Sequence, residues 1–600
     1  MAKIRVADYI ANFIYDSLKV DSVFLVTGGG AMFLNDGIAS HGKLRPILNH
    51  HEQACAMGAV AYSKYKNSFA VAMVTSGCGG TNAMTGVLDA WQDNTPVFFL
   101  SGQVKKRETV YNSDLPLRQY GVQEANIVGI VQSITKYSIM VNEPLEIAYH
   151  LEKAKYLAES GRPGPVWIDV PLDVQGATVE TDALKHFDPT ELEVDYKTDP
   201  LPSEIDRVLI ELKGAKRPVV IAGNGVRLAG AVDAFRTFVE TFQLPTAVSY
   251  LGVDLLHTSN KLFVGRLGTK GDRAGNFAVQ NADYILVLGS RLSVALTGFE
   301  YGLFAREAKI TVVDIDPKEH QKGTVKIDNF INADVKAFLN EVNQKEAVVT
   351  QSSWVDTCEN WKKMWPVCLE RYEHEAKINK YTFIDHLCNY LHDDTTVVSD
   401  AGSSYYVTSQ AVRMEKNQRY ITSGAQADMG FTLPATIGVA AASEGDVVGI
   451  TGDGSFQMNI QELQTLVQYQ FPIKLFVWNN NGYFSIRTTQ RRFFEGREMG
   501  TDANSGISFP SVEKIAIAYG IKYYRADEVS DLDKVLTSVM AEKGPVLCEI
   551  MNPENQEIIP TVSSMKREDG TMVSKPTEDM YPFLDRDEFK KQMIVKPVDE

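Results

Sequence analysis

Short, continuous apolar runs alternate along this chain with longer stretches whose apolar residues recur every three or four positions. The short runs read as parallel strands buried on both faces, and the longer stretches as the helices that cover them. The opening stretch MAKIRVADYIANFIYDSL carries Asp8, Asn12 and Asp16 inside an apolar pattern and predicts an amphipathic helix. Ser22 to Val26 predicts a strand, Thr27-Gly28-Gly29-Gly30 a loop, and Leu48 to Lys64 a helix whose Ala54, Ala56, Gly58, Ala59 and Ala61 permit close packing. Ala70 to Thr75 follows as a strand, Ser76 to Gly80 as a turn, then a helix to about Trp91 and the strand Val97 to Leu100. In the middle third, Pro218 to Ala222, Tyr284 to Leu288 and Ile310 to Ile315 alternate with helices, as in a doubly wound sheet. Further on, Val447 to Thr451 predicts a strand that stops at Gly452-Asp453-Gly454-Ser455. A helix begins near Ser455 and places Ile460, Leu463, Leu466 and Val467 on one face up to Gln470. Ile473 to Trp478 is a second strand, ending in Asn479-Asn480-Asn481.

Part of this pattern occurs twice. VAMVTSGCGG matches VVGITGDGSF in type, and Thr75 to Pro96 has the same 21-residue spacing as Thr451 to Pro472, each proline opening an apolar strand. Two copies of one α/β domain follow from that self-similarity, and only the second copy carries the aspartate and the asparagine pair. A Pro-rich junction at Arg162 to Pro171, an acidic linker at Glu180 to Asp199 and a charged, Trp-containing linker at about Gln344 to Lys380 divide the chain. The expected fold is α/β, with three doubly wound parallel-sheet domains at residues 1–185, 200–345 and 375–560. A C-terminal arm, residues 561–600, has an aromatic cluster at Tyr581 to Phe583 and is expected to close over a site.

Composition narrows the setting. A chain of 600 residues with 44% apolar and 23% charged residues is globular, with three or four domains. No apolar run is long enough to span a bilayer, and the N-terminal pattern is not a secretory one. The six cysteines, Cys55, Cys78, Cys358, Cys368, Cys388 and Cys548, form no Cys-x-x-Cys pair and no zinc-like spacing with histidine, so a reducing cytoplasm is expected. A net charge of -16 disfavours nucleic acid and anionic membrane as partners.

A right-handed βαβ crossover returns the end of the Ile473–Trp478 strand beside the Gly452–Ser455 turn, so Asp453 and Asn480 are expected to meet. Alone, Gly-Asp-Gly is a turn. Paired with an asparagine it suits Mg2+, which takes one or two protein oxygens plus those of a bound phosphate. Gly452 and Gly454 let the backbone approach such a group, and the helix N-terminus at Ser455 favours a diphosphate.

This combination resembles the thiamin-diphosphate fingerprint. Over roughly residues 1–560 the chain is similar to the acetolactate-synthase branch of that family, most closely in GRPGPVWIDVPLDV and GDGSFQMNIQEL. The resemblance implies pyrimidine-binding, central and diphosphate-binding domains in that order. It gives Mg2+ to Asp453, the Asn480 side chain and the Gly482 carbonyl, and thiamin diphosphate to Gly28, Gly29, Gly452, Gly454 and Ser455. Glu52, in His51-Glu52-Gln53, would bond the ring nitrogen N1', the Ala427 carbonyl would accept from the 4'-amino group, and Met429 would bend the cofactor. Gln123 and Lys136 resemble further active-site residues. Gly265, Arg291 and Asp316 stand in stretches that hold FAD in flavin-containing members. The bland alternatives are a Glu52 that complements a helix N-terminus, a core Met429, surface roles for Gln123 and Lys136, and a central domain with ADP or nothing.

The resemblance further implies decarboxylation of a 2-oxo acid, pyruvate being expected, and transfer of the two-carbon unit to a second carbonyl, in a homodimer or homotetramer. Acetolactate synthases anchor the second carboxylate with an arginine shortly before a Thr-Gly, where LGSRLSVALTG has Ala295. They select the acceptor with a tryptophan nine residues past the metal-binding asparagine, where this chain has Thr489. The sequence thus points to a bulkier acceptor such as a nucleotide-linked keto sugar, with Arg487, Arg491 and Arg492 either meeting its phosphates or, as the blander reading, forming a solvated basic face. Acetolactate formation, simple decarboxylation and flavin-linked oxidation are the alternatives within the family. Outside it, an NAD-dependent dehydrogenase would use the partial fingerprint Gly223-Asn224-Gly225, in which Leu228 replaces the third glycine. The chain has no Walker A motif, which argues against an NTPase.

Overall fold

The computed structural model describes residues 3–192, 199–566 and 570–598. Residues 193–198 of the acidic linker and 567–569 of the arm lie outside these. Three six-stranded sheets, parallel throughout, form the three domains. If the strands of each sheet are numbered in chain order, the first and third sheets share the spatial order 2-1-3-4-6-5, while the central sheet runs 3-2-1-4-5-6. The repeat in the sequence is thus a repeat of topology. The central order is that of doubly wound dinucleotide-binding sheets, whose ligands lie beyond the carboxyl ends of the strands.

Both copies bury their strands on two faces. Ala70–Val74 and Ile473–Asn479 are almost wholly inaccessible, as their mostly apolar runs require, and the one buried lysine, Lys474, is taken by the Glu542 and Gly544 carbonyls. The helix Glu52–Lys66 shows how local chemistry sets the ends. His51 Nδ1 accepts from Gln53 N at the N-cap, Glu52 lies in the first turn, Lys64 and Lys66 lie in the last, and Asn67 closes it at φ 51°. Its small residues pack against the helix Thr432–Ala442 of the third domain. A Cβ on Gly438 would run into the Gly58 carbonyl, so the two backbones meet where neither has a side chain.

A buried ion cluster joins the same two domains. Lys64 Nζ donates to Asp89 (3.1 Å), Asp93 (2.7 Å) and the Thr422 carbonyl (3.0 Å). The Asp93 carboxylate in turn accepts from Gly424 N (2.7 Å) and Ala425 N (2.9 Å). The first domain therefore holds the loop that follows the strand Arg419–Thr422.

Several elements differ from the sequence pattern. Arg45–Leu48 is a strand, so the following helix starts at Glu52 and not at Leu48. The stretch 344–380 is not merely a linker, because Ser352–Met364 is a helix that buries Trp354 and Trp361 against the central domain. Instead of one helix from Ser455, a tight 3-10 stretch Ser455–Glu462 breaks at Asn459 (φ -148°) before the helix Leu463–Tyr469. Nor is the arm loose in its described part. Glu578 accepts from Gln280 Nε2 (2.5 Å) and Arg306 (2.8 Å), Arg273 donates to the Met580 and Pro582 carbonyls, and Asn281 Oδ1 takes the Ile594 and Val595 amides. Among the described residues, no helix is long and apolar enough to cross a membrane.

Asp169, in the strand Val166–Pro171, is fully buried and accepts from Ser101 Oγ (2.6 Å) and Gln103 Nε2 (3.1 Å). Burial pushes its carboxyl up to about 7. A raised folded-state value stabilises most below the unfolded value near 3.8, and that contribution drains away as pH rises towards 7. Asp169→Asn should therefore gain stability relative to wild type between about pH 5 and 7, by at most about 1.4 kcal/mol per pH unit. Urea denaturation at several pH values reads this directly, and parallel curves for the two proteins would contradict it.

Candidate active site

The parallel pairing of Val447–Gly452 with Ile473–Asn479 brings the Gly452–Ser455 turn beside the Asn479–Gly482 loop. Asp453 is 4% exposed and takes backbone N–H groups from both sides: Gly454 N (2.8 Å), Asn480 N (3.2 Å) and Gly482 N (2.9 Å). Burial raises its carboxyl above the usual range, while these donors and the nearby Lys380 ammonium pull it down. The Asn480 side-chain amide donates to the Gly482 carbonyl (2.8 Å), so the three expected metal ligands are gathered in one loop pair. Gly482 sits at φ 136°, a conformation that favours glycine, and a Cβ there would strike the Thr501 carbonyl. A side chain at Gly452 would meet nothing within 4 Å, leaving open space beside the turn.

Two residues missed by the sequence pattern complete this half. Asp400, fully buried, accepts from Ser404 Oγ and Ser455 Oγ (both 2.5 Å), Thr451 Oγ1 (2.8 Å) and Ala401 N (2.7 Å), which fixes the turn from below. Lys380 is 1% exposed, and its Nζ has no hydrogen-bond partner among the described residues. Burial lowers its pKa to about 8, although Asp453 opposes the shift. An unpaired ammonium in this position is costly unless an anion arrives. Its only signal in the sequence is a lysine at the first position of a helix, Lys380–Cys388, far from the motif.

Ser455 Oγ also receives Gly430 N (2.7 Å), and the Asn459 side chain donates to the Gly430 carbonyl (2.9 Å). The loop that carries Ala427, at φ 53°, and half-buried Met429 is thereby tied to the turn. Asn459 also donates to Gln53 Oε1 (3.1 Å), which links the third domain to the residue after Glu52. Glu52 itself is buried and accepts from Asn82 Nδ2 (2.9 Å). Gly30 N donates to Thr75 Oγ1 (3.1 Å), a Cβ on Gly28 would clash with Thr75, and Gly77 leaves room for the Gln123 carbonyl. Gly28, Gly29, Glu52 and the Gln123 backbone therefore collect at the carboxyl edge of the first sheet, with the Gln123 side chain exposed.

Residues 4–130 match the N-terminal TPP binding domain of the thiamine pyrophosphate enzymes, 205–342 their central domain and 400–550 their C-terminal TPP binding domain. The chain belongs to the thiamine pyrophosphate enzyme family. It is 34% identical over 554 residues to the acetolactate synthase large subunit of Lactococcus lactis, covering 91% of this chain and 92% of that one. The mitochondrial acetolactate synthase of Schizosaccharomyces pombe is 32% identical (91% and 83% covered), and the isozyme 2 large subunit of Escherichia coli 30% (90% and 95%). As a thiamine pyrophosphate enzyme of acetolactate-synthase type, the chain has a site suited to that cofactor. The open space at Gly452 and the orphaned Lys380 ammonium both fit a diphosphate. No group of three or more His, Cys, Asp or Glu is placed to hold a metal among the described residues, so a cation here would rely on Asp453, neutral oxygens and the diphosphate.

The other candidate residues have the following surroundings in this thiamine pyrophosphate enzyme. Lys136 Nζ donates to the carbonyls of Ser160 (2.5 Å) and Arg162 (2.7 Å), so its ammonium clamps a turn. Arg487 is buried on the Asn481 and Glu554 carbonyls, Arg491 pairs with Glu498 and Asn555, and Arg492 donates to the Ser564 carbonyl. Arg487 is thus buried in a loop contact, while Arg491 and Arg492 stay exposed on a solvated basic face. At the carboxyl ends of the central strands a cavity of about 650 Å³ is lined by Gly223–Gly225, Gly289–Arg291, Asp314 and Ile315, and by Gln92–Asn94 and Ser160–Pro163 of the first domain and Gly424 and Ala425 of the third. Arg291 lines it. Asp316 sits close by, paired with Arg162, whose side chain also lines the cavity, whereas Gly265 is buried against the Asp272 carboxylate and does not reach it.

Lys380→Met removes a buried ammonium without a hydrogen-bond partner but also the charge that offsets Asp453, so the melting temperature of the cofactor-free protein should change little. The same change should shrink the rise produced by thiamin diphosphate with a divalent cation. Equal cofactor-induced rises in the two proteins would show that the ammonium plays no part in anion binding.

Proposed function

We propose that this enzyme decarboxylates pyruvate and passes the two-carbon unit to the carbonyl of a second 2-oxo acid, the activity for which its relatives are named. The observation that carries the reading is the Asp453 carboxylate shared by two loops beside an unpaired lysine. When bound, thiamin diphosphate supplies the carbanion that attacks the 2-oxo acid and holds the electron pair left when CO2 departs. Asp453, the Asn480 amide oxygen and the Gly482 carbonyl hold Mg2+, while Ser455 and the turn amides orient the diphosphate. With the cofactor bound, the Glu52 carboxyl would be the group that hydrogen-bonds its pyrimidine ring and handles the activating proton, with the Ala427 carbonyl and the Met429 side chain holding the same ring in place. Asn82 keeps the Glu52 carboxyl aimed.

FAD in the central cavity belongs to the same proposal, as a structural group. The Gly223–Gly225 turn and the Arg291 guanidinium, which has no carboxylate partner among the described residues, suit a dinucleotide's phosphates. A homodimer or homotetramer is part of it too, as the resemblance to acetolactate synthases implies; sedimentation velocity tests this. Six cysteines, all free, fit a cytoplasmic setting.

One observation favours a second reading. Ala295 and Thr489 are small and exposed where acetolactate synthases are expected to carry an arginine and a tryptophan, which leaves room for a bulkier acceptor such as a nucleotide-linked keto sugar. Incubation with pyruvate alone, and with pyruvate plus a panel of keto sugars, followed by mass spectrometry, separates the two. Acetolactate from pyruvate alone supports the first reading, and products only with a sugar support the second.

Glu52→Gln should keep thiamin-diphosphate binding and lose about 100-fold or more in carboligation rate, the size of a proton-transfer contribution. Calorimetry for the cofactor and product assay measure both, and a fully active variant would refute the assignment. The purified protein should show flavin absorbance or gain thermal stability with added FAD. A gain with ADP alone would replace the flavin by an adenine nucleotide.

A further inference from the structure

The Gly268–Gly271 turn of the central domain is fastened on every side. Thr269 N donates to the Ala295 carbonyl (2.8 Å), and Thr269 O accepts from Val562 N of the arm (2.7 Å). Lys270 N donates to Tyr250 Oη (3.1 Å), and Gln410 Nε2 of the third domain donates to the Gly271 carbonyl (3.2 Å). The root of the Lys270 side chain is therefore fixed where central domain, third domain and arm meet. Its ammonium stands 4.3 Å from the centre of the Tyr406 ring. Tyr406 lies one turn along the helix Gly402–Ala411, and a Cβ on Gly402 at the start of that helix would stand 3.5 Å from Ser485 Oγ, just past the Asn480–Gly482 loop. Tyr406 and Ala427 pack against one cluster that contains Tyr250 and Tyr405, and Tyr405 Oη donates to the Gly424 carbonyl (3.0 Å). Lys270 is thus linked through Tyr406 and the adjoining Tyr405 ring to Gly424, three residues before Ala427 on the same loop.

This lysine is half-buried, and no carboxylate pairs with it among the described residues. Burial lowers its pKa to about 8, with no charged neighbour opposing the shift. A ring face offsets only part of the desolvation of an ammonium. The cation is held in place with its natural partner still to come, and Ala295, where the sequence pattern lacks an arginine, is hydrogen-bonded to the residue next to it.

We propose that Lys270 receives the carboxylate of the second 2-oxo acid and so makes the enzyme selective for an acidic acceptor. This rests on the carboligase reading above. It also explains how a pocket with alanine at position 295 can still serve that substrate, because the charge enters from the neighbouring turn.

The test is an internal competition with purified holoenzyme: pyruvate as donor, 2-oxobutyrate and propanal as competing acceptors, and the ratio of carboxylated to uncharged product read by mass spectrometry. Because both products form in one vessel, the ratio is independent of the amount of folded enzyme. Lys270→Gln should lower it by about 10- to 100-fold, the range for loss of a partly desolvated charge pair, and Lys270→Arg should keep it within about three-fold of wild type. A Lys270→Gln enzyme with the wild-type ratio, or one altered only in flavin content, overturns the assignment. A wild-type enzyme that forms uncharged product but no carboxylated one also overturns it, and with it the 2-oxo-acid acceptor. Failure to form either product overturns the assignment together with the 2-oxo-acid carboligase reading on which it rests.

Discussion

Asp453 lies where loops from two adjacent parallel strands cross, and its carboxylate takes N–H groups from both, so neither loop can shift without leaving a buried charge short of a donor. Much of the third domain is arranged to keep this contact. Asp400 grips Thr451 and Ser455 on one side of the turn, and Gly430 and Asn459 fasten it to the loop of Ala427 and Met429. Three carboxyl-edge loops therefore behave as one rigid rim, the preorganisation that a charged, multidentate cofactor needs if it is to bind without a large ordering cost.

The duplicated domain explains why the remaining chemistry lies elsewhere. Both copies have the strand order 2-1-3-4-6-5 and offer equivalent carboxyl edges, but where the second presents Gly452 and Asp453 after Thr451, the first presents Ser76 and Gly77 after Thr75, and its acid, Glu52, follows a different strand. The helices Glu52–Lys66 and Thr432–Ala442 cross at Gly58 and Gly438, which brings the copies together along backbone instead of side chains. The Lys64–Asp93 cluster then carries that contact to Gly424 and Ala425.

Strands, their order of appearance and the Asp453–Asn480 meeting were legible because they depend on local apolar runs and on the handedness of a crossover. What escaped the sequence is what depends on distant partners. Lys380, Asp400 and Lys270 lie far from the residues they serve, and a lone lysine or aspartate carries no spacing signal. Arg487 reads, with Arg491 and Arg492, as part of an open basic face, whereas its burial on the Asn481 and Glu554 carbonyls becomes visible only when the loops fold. The break at Asn459 overrides an otherwise good helical period because its side chain is taken by Gly430 and Gln53. The helix Ser352–Met364 hid in a charged stretch because only one side of it, with Trp354 and Trp361, is apolar enough to be buried.

The docking of the arm on the central domain has a consequence for the life of the molecule. Glu578 satisfies Gln280 and Arg306 inside the protein, and Phe589, Met593 and Val595 cover apolar surface around Phe277. A chain that has left the ribosome up to residue 570 has every strand of the three sheets but still shows that surface bare. A copy without the segment from Glu578 to Val595 would leave Gln280 and Arg306 short of that carboxylate and the apolar surface around Phe277 open to water, a patch of the kind that drives association.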